Sequence, residues 1–411
     1  MFTTRQTCRI CRGTNLKPFA HLGDSPLADA FVTDTKAKEF KAPLDVRICT
    51  DCWLLQQVTE VDRTKLFPDD YGFFTSGSPA AVKHFANYAK NVSSQFEVSP
   101  DALIVDIASN DGTLLKHFRS LGYTNILGVE PTLNTAESAR LDGIPTIVDF
   151  WGNKSAKKIE RNNGKATLIT ANNVMAHVPD LHDFVEGIKT MLDHKGVFVA
   201  EFHNAMNLVF RNQYDNIYHE HLSFFSLVAI QELFVKHDLQ IFHVEEVDTQ
   251  GGSYRIFVSH PGMHDITLDF KRLLGMEVLS GMQTTVAYEG YMARLMWLRT
   301  CLLDTLDGLD HHSQLVAGYG ASAKSTTLLN WCGIDKSRIP YIVDKTPSKY
   351  GKYTPGSHIP IVDQDIAEIP DAYLLLVWNY ANAIIQREAE FLANSGVFIL
   401  PLPHVQVYYH G

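Results

Sequence analysis

The stretch DALIVDIASNDGTLL, residues 101–115, decides the fold of the central part of this chain. Its apolar run at 102–105 is typical of a parallel strand that is covered on both faces. The polar and glycine residues after it indicate a tight turn that leads into a helix. A second strand at 125–130 ends in Glu130. A nucleoside-binding α/β domain places an acid at this position to bind ribose hydroxyls.

Alternation of strands and helices continues from there. Strand-like runs at 166–173 and 196–201 end in polar groups, and 181–192 has a helical pattern. The alternation predicts a parallel sheet with a ligand at the carboxyl ends of its strands. The turn lacks the Gly-x-Gly-x-x-Gly pattern that a pyrophosphate needs, so S-adenosylmethionine fits better than NAD, with a purely structural loop as the alternative. The candidate cofactor-binding residues are Asp106, Ala108, Asn110, Gly112, Thr113, Glu130, Asn172 and Asn173.

The last third of the chain repeats this architecture. The stretch LVAGYGASAKST, residues 315–326, predicts a strand, a glycine-rich turn and a helix, and further strands are expected at 339–344, 372–378 and 397–402. We interpret this part as a second Rossmann-like domain, which a helical region at 268–306 links to the first. Lys324 favours a phosphate at the turn, although the glycine spacing is not that of a Walker A motif. A tight turn without a ligand is the alternative.

Four of the six cysteines form two CxxC pairs, Cys8 with Cys11 and Cys49 with Cys52. Two such pairs direct four thiolates at one tetrahedral Zn²⁺, which predicts a structural metal site. Four unrelated thiols or a redox pair are the less favoured alternatives. A catalytic zinc would need an open position, and four thiolates leave none.

Composition limits the class of protein. A chain of 411 residues with 45% hydrophobic and 20% charged residues suits two or three globular domains. A net charge of −10 argues against nucleic-acid binding. We find no apolar run of membrane-spanning length and no secretory apolar core near Met1. A cytoplasmic location is therefore expected.

The segment NIYHEHLSFFS, residues 216–226, has the highest density of titratable groups. A polar loop, a metal site and an acid/base site are all possible, but adjacent residues rarely bind one metal together and the His-Glu-x-x-His spacing is absent. Acid/base chemistry fits best, with one histidine as the base, a phenol beside it and a carboxylate that holds its tautomer. Such contacts require a loop or a first helical turn. Further along, Gly251 and Gly252 precede Arg255, which is either an anion partner or part of a plain hairpin.

These motifs together resemble the three-domain sugar C-methyltransferases, which act on nucleotide-linked 4-keto deoxysugars. The resemblance covers nearly the whole chain. It rests on the cysteine pairs and on these motifs: Pro26-Leu-Ala28, Tyr71, Thr75-Ser76, Ser109-Asn-Asp-Gly-Thr113-Leu, Tyr218-His-Glu-His221-Leu-Ser, Gly251-Gly-Ser253-x-Arg255 and Gly318-Tyr-Gly320-Ala321-x-x-Lys324. It departs from the family pattern at Ala108, where glycine is usual, and at Phe73, where tyrosine is usual.

The resemblance implies a multidomain α/β fold: a small zinc-binding domain at 1–70, a class I methyltransferase domain at 71–265, and a linker with a Rossmann-like domain at 266–411. It implies S-adenosylmethionine in the middle domain and a dTDP- or GDP-linked sugar held mainly by the last domain. The partner is then the nucleotide-linked sugar, with neither nucleic acid nor membrane, and the oligomeric state stays open, with a monomer as one option.

The resemblance also assigns roles to residues. It makes Tyr218, Glu220 and His221 catalytic, with His221 as the base that creates an enolate, and C3 as the expected site of methylation. The substrate-binding candidates are Tyr71, Ser76, His219, Arg255, Tyr319, Ala321, Lys324 and Asp344. The alternatives are a small-molecule O- or N-methyltransferase and a zinc-ribbon scaffold with an inactive methyltransferase-like domain. An RNA methyltransferase is disfavoured by the acidic chain.

Overall fold

The computed structural model describes residues 1–69, 71–96 and 98–409. The N-terminal part is built from small antiparallel sheets, and its strand β3 alternates buried and partly exposed residues, as one covered face requires. Its elements are β1 (Phe2–Thr4), β2 (Leu16–Pro26), β3 (Lys41–Cys49), β4 (Leu55–Gln57), β5 (Thr59–Val61), α1 (Arg63–Leu66) and α2 (Pro79–Gln95).

The central part is a seven-stranded sheet in the order β12-β13-β10-β9-β6-β7-β8. Its elements, with those of the following segment, are β6 (Ile104–Ile107), α3 (Thr113–Ser120), β7 (Ile126–Val129), α4 (Leu133–Leu141), β8 (Thr146–Ile147), α5 (Asn153–Asn163), β9 (Ala166–Asn172), α6 (Leu181–Met191), β10 (Leu192–His203), α7 (Ala205–Phe210), β11 (Ser223–Phe224), α8 (Leu227–Val235), β12 (Gln240–Val247), β13 (Ser253–Ser259) and α9 (Leu268–Leu279).

Five strands of this sheet, from β8 to β10, are parallel, which confirms the predicted alternation of strands and helices. Strand β13 is antiparallel to both of its neighbours, β10 and β12. Only five residues join β12 to β13, and a parallel crossover needs a dozen or more. The glycine pair at 251–252 therefore lies in a hairpin turn.

The C-terminal part is a second doubly wound unit, as predicted. Its six strands have the order β16-β15-β14-β17-β18-β19, and all are parallel except β19. Its elements are α10 (Tyr291–His311), β14 (Val316–Tyr319), α11 (Ala323–Cys332), β15 (Ile342–Asp344), β16 (Ile361–Asp363), β17 (Ala372–Leu375), α12 (Ala381–Arg387), α13 (Ala389–Ala393), β18 (Val397–Leu400) and β19 (Gln406–Tyr408).

The predicted helical link at 268–306 contains two helices, α9 and α10. Gly281 and Gly290, at the two ends of the break, have φ of +79° and +67°. That left-handed backbone ends one helix and precedes the next.

The three parts interlock. Strand β11, which comes from the central part of the chain, forms the edge of the N-terminal sheet beside β4. On another strand of that sheet, Phe19 stacks on Tyr291 of α10, with ring centroids 4.3 Å apart.

The expected boundary at residue 70 lies outside the described residues. Among the residues that the structure describes, no helix is both long and apolar enough to cross a membrane.

Candidate active site

A cavity of about 1420 Å³ lies where the three parts meet. It brings together most of the residues that the sequence singled out. Those that line it are Tyr71, Ala108, Asn110, Glu130, Asn172, Asn173, Tyr218, Glu220, His221, Arg255, Ala321, Lys324 and Asp344. Asp106 and Thr113 line a smaller pocket beside it, which shares Ala108, Asn110 and Asn172 with the large one. The predicted cofactor turn, the acid/base segment and the second glycine-rich turn therefore face one space.

The cofactor turn has an unusual backbone. Ala108 and Asn110 have φ of +54° and +52°, and Gly112, which precedes α3, has +74°. A Cβ at Gly112 would lie 3.1 Å from the side chain of Ile144. Gly112 lines neither pocket, so its part in the turn is the shape of the backbone.

Glu130 ties the end of β7 to this turn. Its Oε2 accepts the backbone N–H of Asn110 at 2.8 Å, and its Oε1 accepts that of Thr132 at 2.9 Å. Nearby, burial raises the pKa of Asp106 to about 7, although the hydroxyl of Thr170 donates to that carboxyl at 2.6 Å. Glu130 thus faces the cleft at the place expected of a ribose-binding acid.

Asn172, at the end of β9, carries a buried amide whose oxygen and nitrogen have no hydrogen-bond partner among the described residues. A buried polar group without a partner is costly, and such groups are usually satisfied by a ligand or by water. Because this amide borders both pockets, it suits contact with a polar cofactor.

Tyr218 and His221 form a hydrogen-bonded pair. The Tyr218 hydroxyl lies 2.9 Å from His221 Nε2, and His221 Nδ1 lies 2.7 Å from the backbone carbonyl of Asn216. A carbonyl only accepts, so Nδ1 carries the proton, and Nε2 offers its lone pair to the phenol. The local turn, closed by the bond from His221 N–H to Tyr218 O at 3.0 Å, is the conformation expected for this contact. The tautomer is held by a backbone carbonyl, and the sequence-based expectation of a neighbouring carboxylate was wrong.

Burial keeps this pair uncharged. It lowers the pKa of His221 well below its usual value, and nearby His177 lowers it further. Burial also raises the pKa of Tyr218 well above 10. The site therefore holds a neutral imidazole beside a neutral phenol at pH 7, a state in which the imidazole accepts a proton.

Glu220 lines the cavity but makes no hydrogen bond to His221. Burial, followed by the charge of Asp29, raises the pKa of Glu220 to about 8. At pH 7 this carboxyl is mostly protonated, so it is a hydrogen-bond donor.

The cavity residues His177 and Asp29 were missed by the sequence analysis. The ring of His177 lies 5.0 Å from that of His221 and is perpendicular to it, and burial lowers its pKa to about 4. Asp29 lies in the loop between β2 and β3 and faces the same cavity. His177 follows β9 by several residues without a motif, so only the fold brings it to the site. Asp29 adjoins the quoted Pro26-Leu-Ala28, and this position was its only signal.

Three predicted substrate-binding residues lie outside the cavity. His219 is buried, with Nε2 3.0 Å from the carbonyl of Ala42, and the hydroxyl of Tyr319 donates to Glu388 at 2.7 Å within the C-terminal part. Ser76 is exposed, and its backbone N–H donates to Asp111 at 2.9 Å. The cavity therefore does not bring His219, Tyr319 and Ser76 together with the other predicted substrate ligands. Successive side chains of an extended strand point to opposite sides, which explains why Tyr319 turns away beside a cleft-lining turn.

Arg255 borders the cavity, but its charge is already balanced. Its Nε donates to Glu201 at 2.6 Å and its Nη1 to Glu245 at 2.8 Å, while the guanidinium lies 4.4 Å from the ring centroid of Tyr88. The prediction that Arg255 pairs with a substrate anion does not fit these contacts, and the hairpin interpretation does. A Cβ at Gly251, in the turn of that hairpin, would lie 2.7 Å from the Trp378 ring, so glycine lets the turn approach the C-terminal part.

The second glycine-rich turn is organised by Asp344. Its Oδ2 accepts the backbone N–H of Ala321 at 2.8 Å and lies 3.4 Å from Lys349 Nζ. Lys349, which also donates to the carbonyl of Ala321 at 2.6 Å, lines the cavity and was missed by the sequence analysis. Lys324, the predicted phosphate ligand, is only 6% exposed and donates to Oδ1 of Asn216.

The four paired cysteines form one cluster. Their sulfur atoms all lie within 4.8 Å of one another, with Cys8 and Cys52 3.3 Å apart and Cys11 and Cys49 3.5 Å apart. Tetrahedral zinc with four thiolates separates sulfurs by about 3.8 Å, so these residues fit the ion. Next to Cys8, the buried Arg9 donates to the carbonyl of Leu222 at 3.0 Å and so connects the cluster to the acid/base segment.

Comparison with known proteins agrees with this arrangement. The family described as "Putative zinc binding domain" matches residues 8–67, "Methyltransferase domain" matches 83–244, and "C-methyltransferase C-terminal domain" matches 248–403. C-methyltransferase NovU of Streptomyces niveus is 32% identical over 97% of this chain and 96% of its own length. The chain belongs to the C-methyltransferase family. This C-methyltransferase uses S-adenosylmethionine and has a zinc-binding N-terminal domain, so the scaffold alternative is set aside.

Solved structures that are similar to part of this chain include magnesium protoporphyrin IX methyltransferase of Synechocystis PCC 6803 with bound SAM. It is 11% identical over 48% of this chain and 89% of that one, with a TM-score of 0.34. The PH0226 protein of Pyrococcus horikoshii OT3 is 13% identical over 48% of this chain and 98% of that one, with a TM-score of 0.37.

Proposed function

We propose that this enzyme methylates a carbon of a nucleotide-linked 4-keto deoxysugar, at C3, through an enolate. The observation that carries the proposal is the hydrogen-bonded Tyr218–His221 pair, since both residues line the cavity that residues of the cofactor turn and of the second, glycine-rich turn also line. A carbon acceptor must lose a proton before it attacks a methyl group, and a neutral imidazole suits a C–H made acidic by a neighbouring ketone. A small-molecule O- or N-methyltransferase is the second candidate, but it needs neither a carbon base nor a second doubly wound domain.

In this proposal the C–H bond of the sugar takes the place of the Tyr218 hydroxyl at His221 Nε2. The imidazole removes the proton, and the electrons of that C–H bond move into the enolate. The freed phenol and the protonated Glu220 both donate to the developing oxyanion. S-adenosylmethionine, when bound, supplies an electrophilic methyl group. The protein's part is to hold the nucleophilic carbon in line with it and to exclude water.

Binding of the nucleotide is assigned to the second turn. Ala321 and Asp344 line the cavity there, and Lys349 adds a cation beside the N-terminus of α11. Backbone N–H groups at a helix N-terminus and a nearby ammonium suit a diphosphate. Glu130 and the Asn172 amide are assigned to the methyl donor, on the other side of the cavity. Tyr71, which also lines the cavity, is assigned to the sugar.

Mass spectrometry of dTDP- and GDP-linked 4-keto sugars incubated with the enzyme in D₂O tests the proposal. The expected result is gain of one methyl group with S-adenosylmethionine, and uptake of one deuterium beside the ketone without it. The matching 4-hydroxy sugars lack the acidic C–H and are expected to do neither. A methyl group found on oxygen or nitrogen by NMR would contradict the proposal and favour the second candidate.

A further inference from the structure

One turn of helix α11 in the C-terminal part contacts the segment that precedes the Tyr218–His221 pair. The ammonium of Lys324 donates to Oδ1 of Asn216, and the hydroxyl of Thr327 donates to the carbonyl of Ile217 at 3.0 Å. Lys324 is 6% exposed and Asn216 is fully buried. This contact joins residues 108 positions apart in the chain, so tertiary structure alone creates it.

Asn216 is bound at both of its ends. Its side-chain oxygen accepts from Lys324, while its backbone carbonyl accepts from His221 Nδ1 at 2.7 Å. The second bond decides which ring nitrogen carries the proton. Lys324 therefore acts on His221 through two hydrogen bonds, one to the side chain of Asn216 and one from His221 to the backbone carbonyl of Asn216.

The surroundings of Lys324 suit this anchoring role better than a role in binding phosphate. Its Nζ also lies 3.4 Å from the carbonyl of Gln250, and buried Asp215 supplies a countercharge. Asp215 is itself fixed by the indole N–H of Trp378 at 2.6 Å. The ammonium thus already has protein partners.

We propose that Lys324 is a positioning residue that fixes Asn216, so that the carbonyl of Asn216 keeps the proton of His221 on Nδ1 and leaves Nε2 free as the base. This inference rests on the proposed function for the role of His221 as base, but not for the geometry. Without Lys324, the side-chain oxygen of Asn216 loses its donor, while its amide nitrogen still lies 3.1 Å from His203 Nε2 and 3.4 Å from the carbonyl of Gln213. The loss of this one contact is expected to mix the two neutral tautomers of His221. The tautomer with its proton on Nε2 has no lone pair at the position where the substrate C–H binds.

Nitrogen NMR of histidine-labelled protein tests the geometry without any substrate. The His221 signals are assigned by their loss in His221→Gln, and the two ring nitrogens of each tautomer have well separated shifts. We expect one tautomer, with the proton on Nδ1, in the unmodified enzyme and a mixture in Lys324→Met. Lys349→Met is the matched control, because Lys349 lines the same cavity but donates to Ala321. It should keep the single tautomer, and an unchanged tautomer in Lys324→Met overturns the inference.

Kinetics separate positioning from phosphate binding. Lys324→Met is expected to lower kcat at least tenfold while KM for the nucleotide sugar changes less than threefold. Lys324→Gln, which keeps a donor but no charge, should recover a large part of kcat. Loss confined to KM, without rescue by Gln, would show that Lys324 binds phosphate and would overturn the inference.

Asn216→Ala gives an independent route if Lys324→Met does not fold. It should mix the His221 tautomers too, and Lys324→Ala, which removes the donor altogether, should add little to the loss in the double variant, because both act through one contact. Additive effects overturn the inference. A tautomer shift in an enzyme that methylates no 4-keto sugar would refute the proposed function and leave the positioning role standing.

Discussion

At the end of β7, Glu130 accepts the backbone N–H of Asn110 at 2.8 Å, and at the end of β15, Asp344 accepts that of Ala321 at 2.8 Å. Each acid also accepts the N–H of a threonine two residues further along, at 2.9 and 2.8 Å. The two doubly wound units thus fix the turn after their first strand with the same contact.

The units differ in what the polar side chains near each turn contact. Beside the first turn, the Asn172 amide has no partner among the described residues. Beside the second, Lys324 and Thr327 donate to residues 216 and 217 of the acid/base segment. Both units therefore share the order strand, turn and helix. This sequence pattern does not decide whether the polar groups beside the turn contact a ligand or another part of the chain.

The largest effect on kcat should come from a substitution in the acid/base segment, residues 216–226, which α11 of the second unit contacts. We expect His221→Ala to lower kcat by about 10²–10⁴, the usual contribution of a general base. His219→Gln is the matched control, since His219 lies two residues away but contacts Ala42 outside the cavity. Steady-state rates of methyl transfer check both variants. A near-normal rate in His221→Ala would rule out its role as the base.

Substitutions of Glu130 and Asp344 should each weaken the binding of a different ligand. Glu130→Gln is expected to weaken S-adenosylmethionine binding about 10- to 100-fold, because it removes a charged acceptor of hydrogen bonds. Asp344→Asn should instead weaken binding of the nucleotide sugar. Isothermal titration of each variant with each ligand measures both effects. If both variants lose affinity for the same ligand, the comparison between the units fails.

The pH dependence of kcat should reflect two groups of the acid/base segment, Glu220 and His221. Glu220 has a raised pKa of about 8, so its donating form is present below pH 8 and is lost as the pH rises through that value. We expect kcat to fall about tenfold per pH unit above 8, as a single required proton dictates. His221 has a lowered pKa, so the acid limb should lie below pH 6.5, the usual histidine value. In Glu220→Gln the alkaline limb should disappear, and a limb that persists there belongs to another group.

The smallest effect concerns the backbone of the first turn. Ala108 has φ of +54°, a conformation that glycine adopts without strain. Ala108→Gly should therefore raise the stability of the cofactor-free enzyme by about 1 kcal/mol, seen as a higher Tm. Ala321→Gly at the second turn is the control and should lower Tm, because the backbone of Ala321 is not left-handed and glycine loses more entropy on folding. A lower Tm in Ala108→Gly would show that the Ala108 methyl group packs well enough to offset its strain.

Local sequence patterns predicted most helices and strands, and they predicted which motifs belong to one site. The apolar runs and the turns after them gave both doubly wound units, and the CxxC spacing gave the cysteine cluster. The contact between Tyr218 and His221 was also within reach, since it spans three residues.

Orientation and long-range pairing were not predictable. His219 sits between two cavity residues, and only the folded chain turns its ring towards Ala42. The charge of Arg255 is cancelled by Glu201, 54 residues away, and no spacing rule links them. His177 reaches the site because Leu222 N–H donates to Ala176 O at 2.8 Å, a contact between distant segments.

The hydrogen bond from Trp378 to Asp215 joins residues 163 positions apart. During synthesis, the acid/base segment leaves the ribosome long before this partner does. At about 5–20 residues per second the interval is on the order of 10–30 s. Lys324 follows Asn216 by 108 residues and Trp378 follows Asp215 by 163, so the proposed anchor of the base is incomplete during this interval. If Lys324 positions His221 as proposed, the site forms only after Trp378 has been synthesised, and a truncated product that stops after the central domain would carry His221 without this anchor.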